Sequence, residues 1–415
     1  MPPLKAFTGV HFWLIAFISS ILFLVTARTA RSRPLKLAVF LCIQLLLLVE
    51  GFGIPLYTLL GLLLFCSLLY RLALWRSAGS VVLSLFLCVG LLTLFRTPFF
   101  LNLSSHEAWI SAPWIHSLPF LTIGYSFLAL RCLSFIIDLR VEKIKNPSYL
   151  AYLGYLFFAP SYLAGPIDRY DRFANDLEKP VELTADRVRL ALTRIVTGFV
   201  KKVFLAGFLF RWALSGANEM TDLSSLSTGQ AWAGLYAYSM MLYLDFSGYS
   251  DIALGTGQLF GIRLPENFNW PYLCRNTIEF WNHWHMSLSQ WLRDYLFLPI
   301  GQWCFRHTGR WADPLWIGVV GYMLTMAFCG FWHGLQWHYL LWGLYHGVGL
   351  CICRLTRTWI QRRSSERVRL AVESAAGRVF STFLTFQFVT LGWLLFLFDL
   401  PAVGVILRRM SGGLR

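Results

Sequence analysis

The chain has 415 residues, of which 57% are hydrophobic and only 14% charged, and it carries a formal net charge of +15. Soluble domains average about 45–50% apolar and about 25% charged residues, so a water-soluble globular enzyme is excluded and a chain immersed in lipid is indicated. The basic excess does not form the continuous basic face that nucleic acid requires. Lys and Arg gather in short connectors between apolar runs, the positive-inside pattern of membrane proteins, so the bilayer is the expected partner and nucleic acid is not.

Apolar runs long enough to cross or enter a bilayer occur at 9–26, 37–50, 54–70, 80–95, 118–138, 148–164, 190–214, 230–260, 278–300, 315–332, 336–353 and 379–399. The first run precedes its charges, Arg28, Arg31 and Arg33, and lacks an A-x-A site, so a retained span is expected in place of a cleaved leader. Gly51, Gly53 and Pro55 break the second run from the third. Basic connectors at 28–36, 71–76 and 140–145 fall on one side, the cytoplasmic one, if the first spans alternate. Past residue 165 acidic and basic residues nearly balance and simple alternation fails, which suggests re-entrant or interfacial segments buried in protein. A further basic connector, Arg354 to Arg369, is expected on the cytoplasmic side. The nine cysteines are scattered without a C-x-x-C, as small buried hydrophobes would be, and Cys351 and Cys353 form only a C-x-C. The expected architecture is therefore all-α and polytopic, with about eleven spans plus re-entrant or interfacial helices around a central cavity.

Polar and ionisable groups at membrane depth are costly and so mark functional sites. Residues 279–294 place Trp281, Trp284, Leu288 and Trp291 at helical spacing and predict one helix, on which His283 and His285 point to nearly opposite faces and cannot share a metal. His333 lies between two apolar spans and is flanked by Gly330 and Gly334, which permit close approach of a ligand. A histidine is the side chain suited to exchange protons near neutral pH. Asp245 and Asp251 lie in an apolar run with Ser247, Gly248 and Ser250, too poorly spaced to share one helical site. Gly165-Pro-Ile-Asp-Arg-Tyr-Asp-Arg172 reads as a turn with surface ion pairs. No H-E-x-x-H, P-loop, G-x-G-x-x-G or G-x-S-x-G signature is present.

Asp245-Phe-Ser-Gly-Tyr-Ser250, Pro265-Glu-Asn-Phe-Asn-Trp-Pro-Tyr272, the segment 279–294, Gly330-Phe-Trp-His-Gly334 and Trp342-Gly-Leu-Tyr-His-Gly347 together resemble the membrane-bound O-acyltransferase family. The resemblance covers roughly residues 118–400. It implies a single family domain over 1–415, with 1–117 as peripheral N-terminal spans and 118–400 as the core. Gly165–Phe173 and Trp281–Ser289 look most like the branch that transfers D-alanyl groups to teichoic acids. Residues 294–301 and 385–393 look equally like the alginate-type polysaccharide O-acetylating branch. His283 departs from the pattern, standing where relatives are expected to carry arginine or another basic residue.

The resemblance implies His333 as the catalytic histidine and His285 as its second characteristic residue. Asp245, Ser247, Ser250, Asn267, Glu279, Trp281, Asn282, Ser287, Ser289, Arg293, Trp332 and Gln336 are candidates to line the cavity or bind substrate, and no metal is expected. It further implies no bound cofactor, a donor thioester on the phosphopantetheine arm of a cytoplasmic acyl carrier protein, and a hydroxyl acceptor on an extracytoplasmic cell-envelope polymer. The location implied is the bacterial cytoplasmic membrane, crossed many times. A transporter or channel using the same His, Asp and Glu residues as a path is the alternative from another class. It predicts flux without an acyl donor and leaves the combined motifs unexplained.

Overall fold

The computed structural model describes residues 15, 18–19, 21–23, 32–96, 118–180, 184–217, 223–308 and 313–412, and all regular structure among them is helical. The expected first span, 9–26, lies almost wholly outside the described residues. Among the described residues, four helices are long and apolar enough to cross a membrane: Arg33–Gly51, Leu56–Leu74, Pro314–His333 and Ala375–Leu397. The chain divides into two compact units, 1–197 with 249–265, and 198–248 with 266–415.

In the first unit, α1 (Arg33–Leu46) runs on into a π-helical turn, Leu47–Gly51. Gly53, at φ +65°, and Pro55 then end it before α2 (Leu56–Leu74), at the break the glycines and proline predict. α3 (Ala78–Arg96) and α4 (Leu118–Arg140) follow, and the Tyr125 hydroxyl on α4 donates to the Cys88 carbonyl on α3 at 3.1 Å.

The expected span 148–164 is not one helix. Its helical part, α5 (Tyr149–Leu156), stops after 8 residues and gives way to a 3-10 turn, Ala159–Ser161. Buried backbone outside a helix needs partners in the protein. The side-chain Oε1 of Gln44 on α1 accepts from the Ala159 amide at 3.2 Å. The fully buried Arg131 guanidinium on α4 donates to Leu156 O at 3.2 Å, to Ser161 O and to Ser161 Oγ at 2.8 Å.

The Asp168 carboxylate, expected on the surface, is 2% exposed. It accepts from the Arg169 amide at 2.7 Å and from Arg172 Nε at 2.6 Å. Tyr155 on α5 donates to the Asp168 carbonyl at 3.0 Å and so ties the end of the Gly-Pro turn to that helix. α6 (Tyr170–Glu178) and α7 (Ala185–Phe199) follow, and α7 passes into a π-helical stretch, Val200–Leu205.

α8 (Thr228–Leu259) is the longest helix, 32 residues, or about 48 Å at 1.5 Å per residue. Within the first unit, a side chain at Gly255 would meet Ala191 O at 2.6 Å, so α7 and α8 approach backbone to backbone there. Gly261, at φ +79°, ends α8: the Ile262 amide donates to Gly257 O at 2.9 Å and the Gly261 amide to Gln258 O at 3.1 Å, a Schellman closure.

In the second unit the single helix expected over 279–294 is interrupted. α9 (Thr277–His283) and α10 (Met286–Leu292) are separate, and α10 continues through a π-helical turn, Arg293–Phe297, into α11 (Leu298–Thr308). α12 (Pro314–His333) and α13 (Trp337–Arg363) form a hairpin closed by glycines. A side chain on Gly330 would strike the Tyr339 carbonyl oxygen, and one on Gly343 would meet the Gly330 amide nitrogen at 3.0 Å. α13 extends ten residues beyond Cys353, so much of the expected basic connector is helix. α14 (Glu366–Glu373), α15 (Ala375–Leu397) and α16 (Leu400–Met410) complete the unit. Cys351 and Cys353 make separate contacts, to Val319 O at 3.6 Å and to Asn276 Oδ1 at 3.5 Å.

Candidate active site

Both histidines implied by the resemblance belong to the second unit, and each occupies a helix end. His333 is the last residue of α12, where the chain turns out at extended Gly334, whose amide still donates to Gly330 O at 3.2 Å. Its half-buried imidazole meets Trp332 at 4.7 Å, Trp342 at 5.1 Å and Phe396 at 5.1 Å between ring centroids, all edge to face. The Gly330 and Gly343 contacts draw α12 and α13 together and bring the Trp342 ring against His333.

His285 is buried and sits at φ +43°, in the left-handed region, as the N-cap of α10. Histidine is one of the non-glycine residues enriched there, yet the conformation persists only where its surroundings impose it. Asn267 supplies that constraint. Its carbonyl oxygen accepts from the Met286 amide at 2.9 Å, and its side-chain Oδ1 accepts from the Ser287 amide at 3.2 Å and the Ser287 hydroxyl at 2.7 Å. Two residues on, the Asn269 amide donates to His283 O at 3.0 Å. The 265–272 segment thus clamps the break between α9 and α10 and aims the His285 ring at Phe246 of α8, 4.7 Å away.

The two imidazoles are both packed against aromatic rings of the second unit. A continuous aromatic wall also connects them. From His285 it runs through Phe246, Phe268, Trp284, Trp393 and Trp342 to His333, in steps of 4.7, 5.1, 5.1, 5.1, 6.0 and 5.1 Å. Apolar walls around two ring nitrogens exclude water and strengthen any hydrogen bond made to a reacting group.

The remaining candidates separate by position. Trp332 and Trp281 are buried in the aromatic assembly, Trp281 against Trp342 at 5.9 Å. Asn267 and Ser287 hold His285 in place, and the Ser289 hydroxyl donates to Trp284 O at 3.2 Å. Glu279 works as a helix cap: its amide donates to Asn276 Oδ1 at 2.9 Å, and its carboxylate accepts from the Arg275 amide at 3.1 Å. Ser247 and Ser250 are buried on α8. Asp245 is ion-paired with Lys202, and Asp251 with Arg194 at 2.8 Å, so the two carboxylates serve different cations. Asn282, Arg293 and Gln336 are exposed.

Several participants escape the sequence reading. Lys202 lies in the π-helical stretch after α7, a local widening with no compositional mark. Trp342, Trp393 and Phe246 lie inside segments that carry the resemblance, but only the fold assembles them into one wall. His346, fully buried on α13, shares with His333 the signal of a histidine beside glycine in an apolar run.

Comparison with known proteins places the chain among its relatives. The protein named "Probable alginate O-acetylase AlgI" of Pseudomonas fluorescens is 35% identical over 285 residues, 68% of this chain and 52% of its own length. The teichoic acid D-alanyltransferase of Streptococcus thermophilus is 32% identical over 288 residues, covering 66% of this chain and 68% of that protein. Its counterpart in Bacillus subtilis is 31% identical over 303 residues, 71% and 74%. The chain spans about half the length of the alginate O-acetylases it matches. Residues 56–386 match the membrane-bound O-acyltransferase family as a whole, a range that includes both histidines, the 265–272 clamp and the α12–α13 hairpin. The chain is a multi-pass membrane protein belonging to the membrane-bound O-acyltransferase family.

Proposed function

We propose that the protein transfers an acyl group, foremost D-alanyl, from a thioester on a phosphopantetheinyl carrier protein to a hydroxyl of an extracytoplasmic cell-envelope polymer of the teichoic acid kind. It does so in the cytoplasmic membrane, with about eleven spans surrounding a central cavity. The observation that carries the reading is His333, half-exposed at a helix end, walled by aromatic rings and joined to His285 through a chain of packed rings.

An alcohol is a poor nucleophile until its proton is removed as it attacks. His333 takes that proton, and the acceptor oxygen adds to the thioester carbonyl. The developing oxyanion is stabilised by a hydrogen bond from His285. The tetrahedral species then collapses with cleavage of the C–S bond, and the proton on His333 passes to the departing thiolate. The acceptor attacks the thioester directly, so no acyl-enzyme forms. General-base assistance contributes about 10²–10⁴-fold, and holding donor and acceptor together adds to it.

Polysaccharide O-acetylation is the second reading, supported by the 35% identity to alginate O-acetylases. The experiment offers purified protein a D-alanyl carrier and an acetyl donor in turn, with His333→Ala as the control. The expected outcome is D-alanyl transfer that His333→Ala reduces at least about 100-fold without loss of folding. Preference for the acetyl donor moves the protein to the second reading. Near-normal turnover by a folded His333→Ala removes the histidine mechanism.

A further inference from the structure

His346 is a buried imidazole that the reaction above does not use. It lies on α13, wholly shielded from solvent, inside a box of six aromatic rings: Phe280, Trp281, Trp342, Tyr345, Phe388 and Trp393, with centroids 5.1–6.3 Å away. Among the described residues, neither of its ring nitrogens has a hydrogen-bond partner, and neither do the buried Nε1 atoms of Trp281 and Trp342. Gly392 leaves Nε2 uncovered, since a Cβ there would sit 3.0 Å from it.

Buried polar atoms are normally satisfied, and one left without a partner costs stability. A phenyl ring would fill the same box without that cost. Packing alone therefore does not explain an imidazole here.

Its neighbour explains it. Trp342 is a wedge between two histidines: His333 stands against it at 5.1 Å and 88°, and His346 at 5.1 Å and 65°. The indole has no room to withdraw, because Gly330 and Gly343 already bring the α12 and α13 backbones into contact and Trp342 is 1% exposed. Edge-to-face contacts depend on how charge is distributed around each ring. An imidazole, with one N–H and one lone pair, presents a directional dipole to the indole that a phenyl ring lacks.

We propose that His346 is a positioning residue for His333, acting through Trp342: the imidazole dipole sets the tilt of the indole, and the indole sets the ring orientation of the base. The inference rests on the reading of His333 as that base, and its test includes a measurement that needs no acyl transfer.

His346→Phe is compared with wild type by steady-state kinetics, thermal melting in detergent, and the rate at which diethyl pyrocarbonate modifies His333, located by peptide mass spectrometry. The expected result is a fall in kcat of about tenfold with KM little changed, since small misplacements of a reacting group cost this much or more. The melting temperature should hold or rise, because an unsatisfied polar group has been removed. The His333 labelling rate should change severalfold. His346→Gln, which keeps a polar group, should recover part of kcat, and it carries the same readouts if His346→Phe does not fold. Turnover within about twofold of wild type overturns the proposal. So does an unchanged labelling rate, whatever turnover does, or a loss of turnover matched by a fall in melting temperature. If wild type transfers neither acyl group, the acyltransfer reading fails, and the labelling rate alone decides the role of His346.

Discussion

His285 takes a left-handed backbone that costs an L-residue about 1–2 kcal/mol, and Asn267 holds it there through three hydrogen bonds to Met286 and Ser287. Replacing Asn267 with Ala keeps the backbone acceptor but deprives both the Ser287 amide and hydroxyl of their partner. A buried donor left in this way costs about 1–3 kcal/mol. Asn267→Ala should therefore lower turnover by roughly tenfold and reduce the melting temperature, whereas Ser287→Ala, which removes only one of the two donors, should do less to both. Kinetics and melting curves of the two variants check the order. Ser287→Ala proving the more damaging would show that the clamp does not work through Asn267. Both residues lie in segments that carry the family resemblance, but their division of labour is not legible there. Residues 284–286 contain neither Gly nor Pro, so the break in the helix leaves no compositional trace, and only the clamp from 265–272 produces it.

At the scale of elements, the closure of α8 is tied to α6 by one carboxylate. Asp176, buried on α6, accepts from the Arg263 amide at 3.1 Å, from its guanidinium at 2.7 and 3.2 Å, and from Lys179 at 3.2 Å. Burial alone would raise the carboxyl pKa; the hydrogen bonds and charge from Arg263 and Lys179 outweigh it, and the net shift is downward from 3.8. A carboxyl whose folded pKa is depressed adds stability at pH values above its unfolded pKa. That stability disappears as pH falls through the lower, folded value. Asp176→Asn should thus melt a few degrees below wild type at pH 7, with the difference shrinking below about pH 3.8. Melting curves at several pH values, restricted to conditions where wild type unfolds cooperatively, test it. A gap that is constant across pH would assign the loss to packing. The helices themselves were largely legible: hydropathy places α1, α2, α12 and α15, and Gly51, Gly53 and Pro55 mark the break before α2. Residues 148–164 misled because Arg131 and Gln44, remote in sequence, satisfy the non-helical backbone and let apolar sequence leave the helix.

At the scale of the whole molecule, the basic residues past Cys353 serve two ends. Arg354 donates to Pro314 O at 2.8 Å, and Arg369 to Gln361 O at 2.8 Å and Ile360 O at 3.3 Å, so both are bound to helix ends. Arg357, Arg362, Arg363 and Arg367 are exposed on α13 and α14. If the donor is an acidic carrier protein, they are the charges left to attract it. Association measured by surface-immobilised binding should weaken steeply as salt rises toward about 1 M, where the Debye length is about 3 Å, and Arg362→Glu with Arg363→Glu should weaken it at low salt. Binding indifferent to both would point to a donor of another kind. The all-helical class was legible from the apolar runs and the family from the short motifs. The aromatic wall was not, since it is assembled from residues as far apart as Phe246 and Trp393. The α12–α13 hairpin has a consequence for how the protein is made. Its two helices are joined by only three residues, Gly334 to Gln336, and closed by backbone contact at Gly330 and Gly343. Contacts so local in sequence form early and at little entropic cost. During synthesis, Trp332 and Trp342 therefore flank His333 as soon as the hairpin enters the membrane, and Phe396 joins them from the later-made α15.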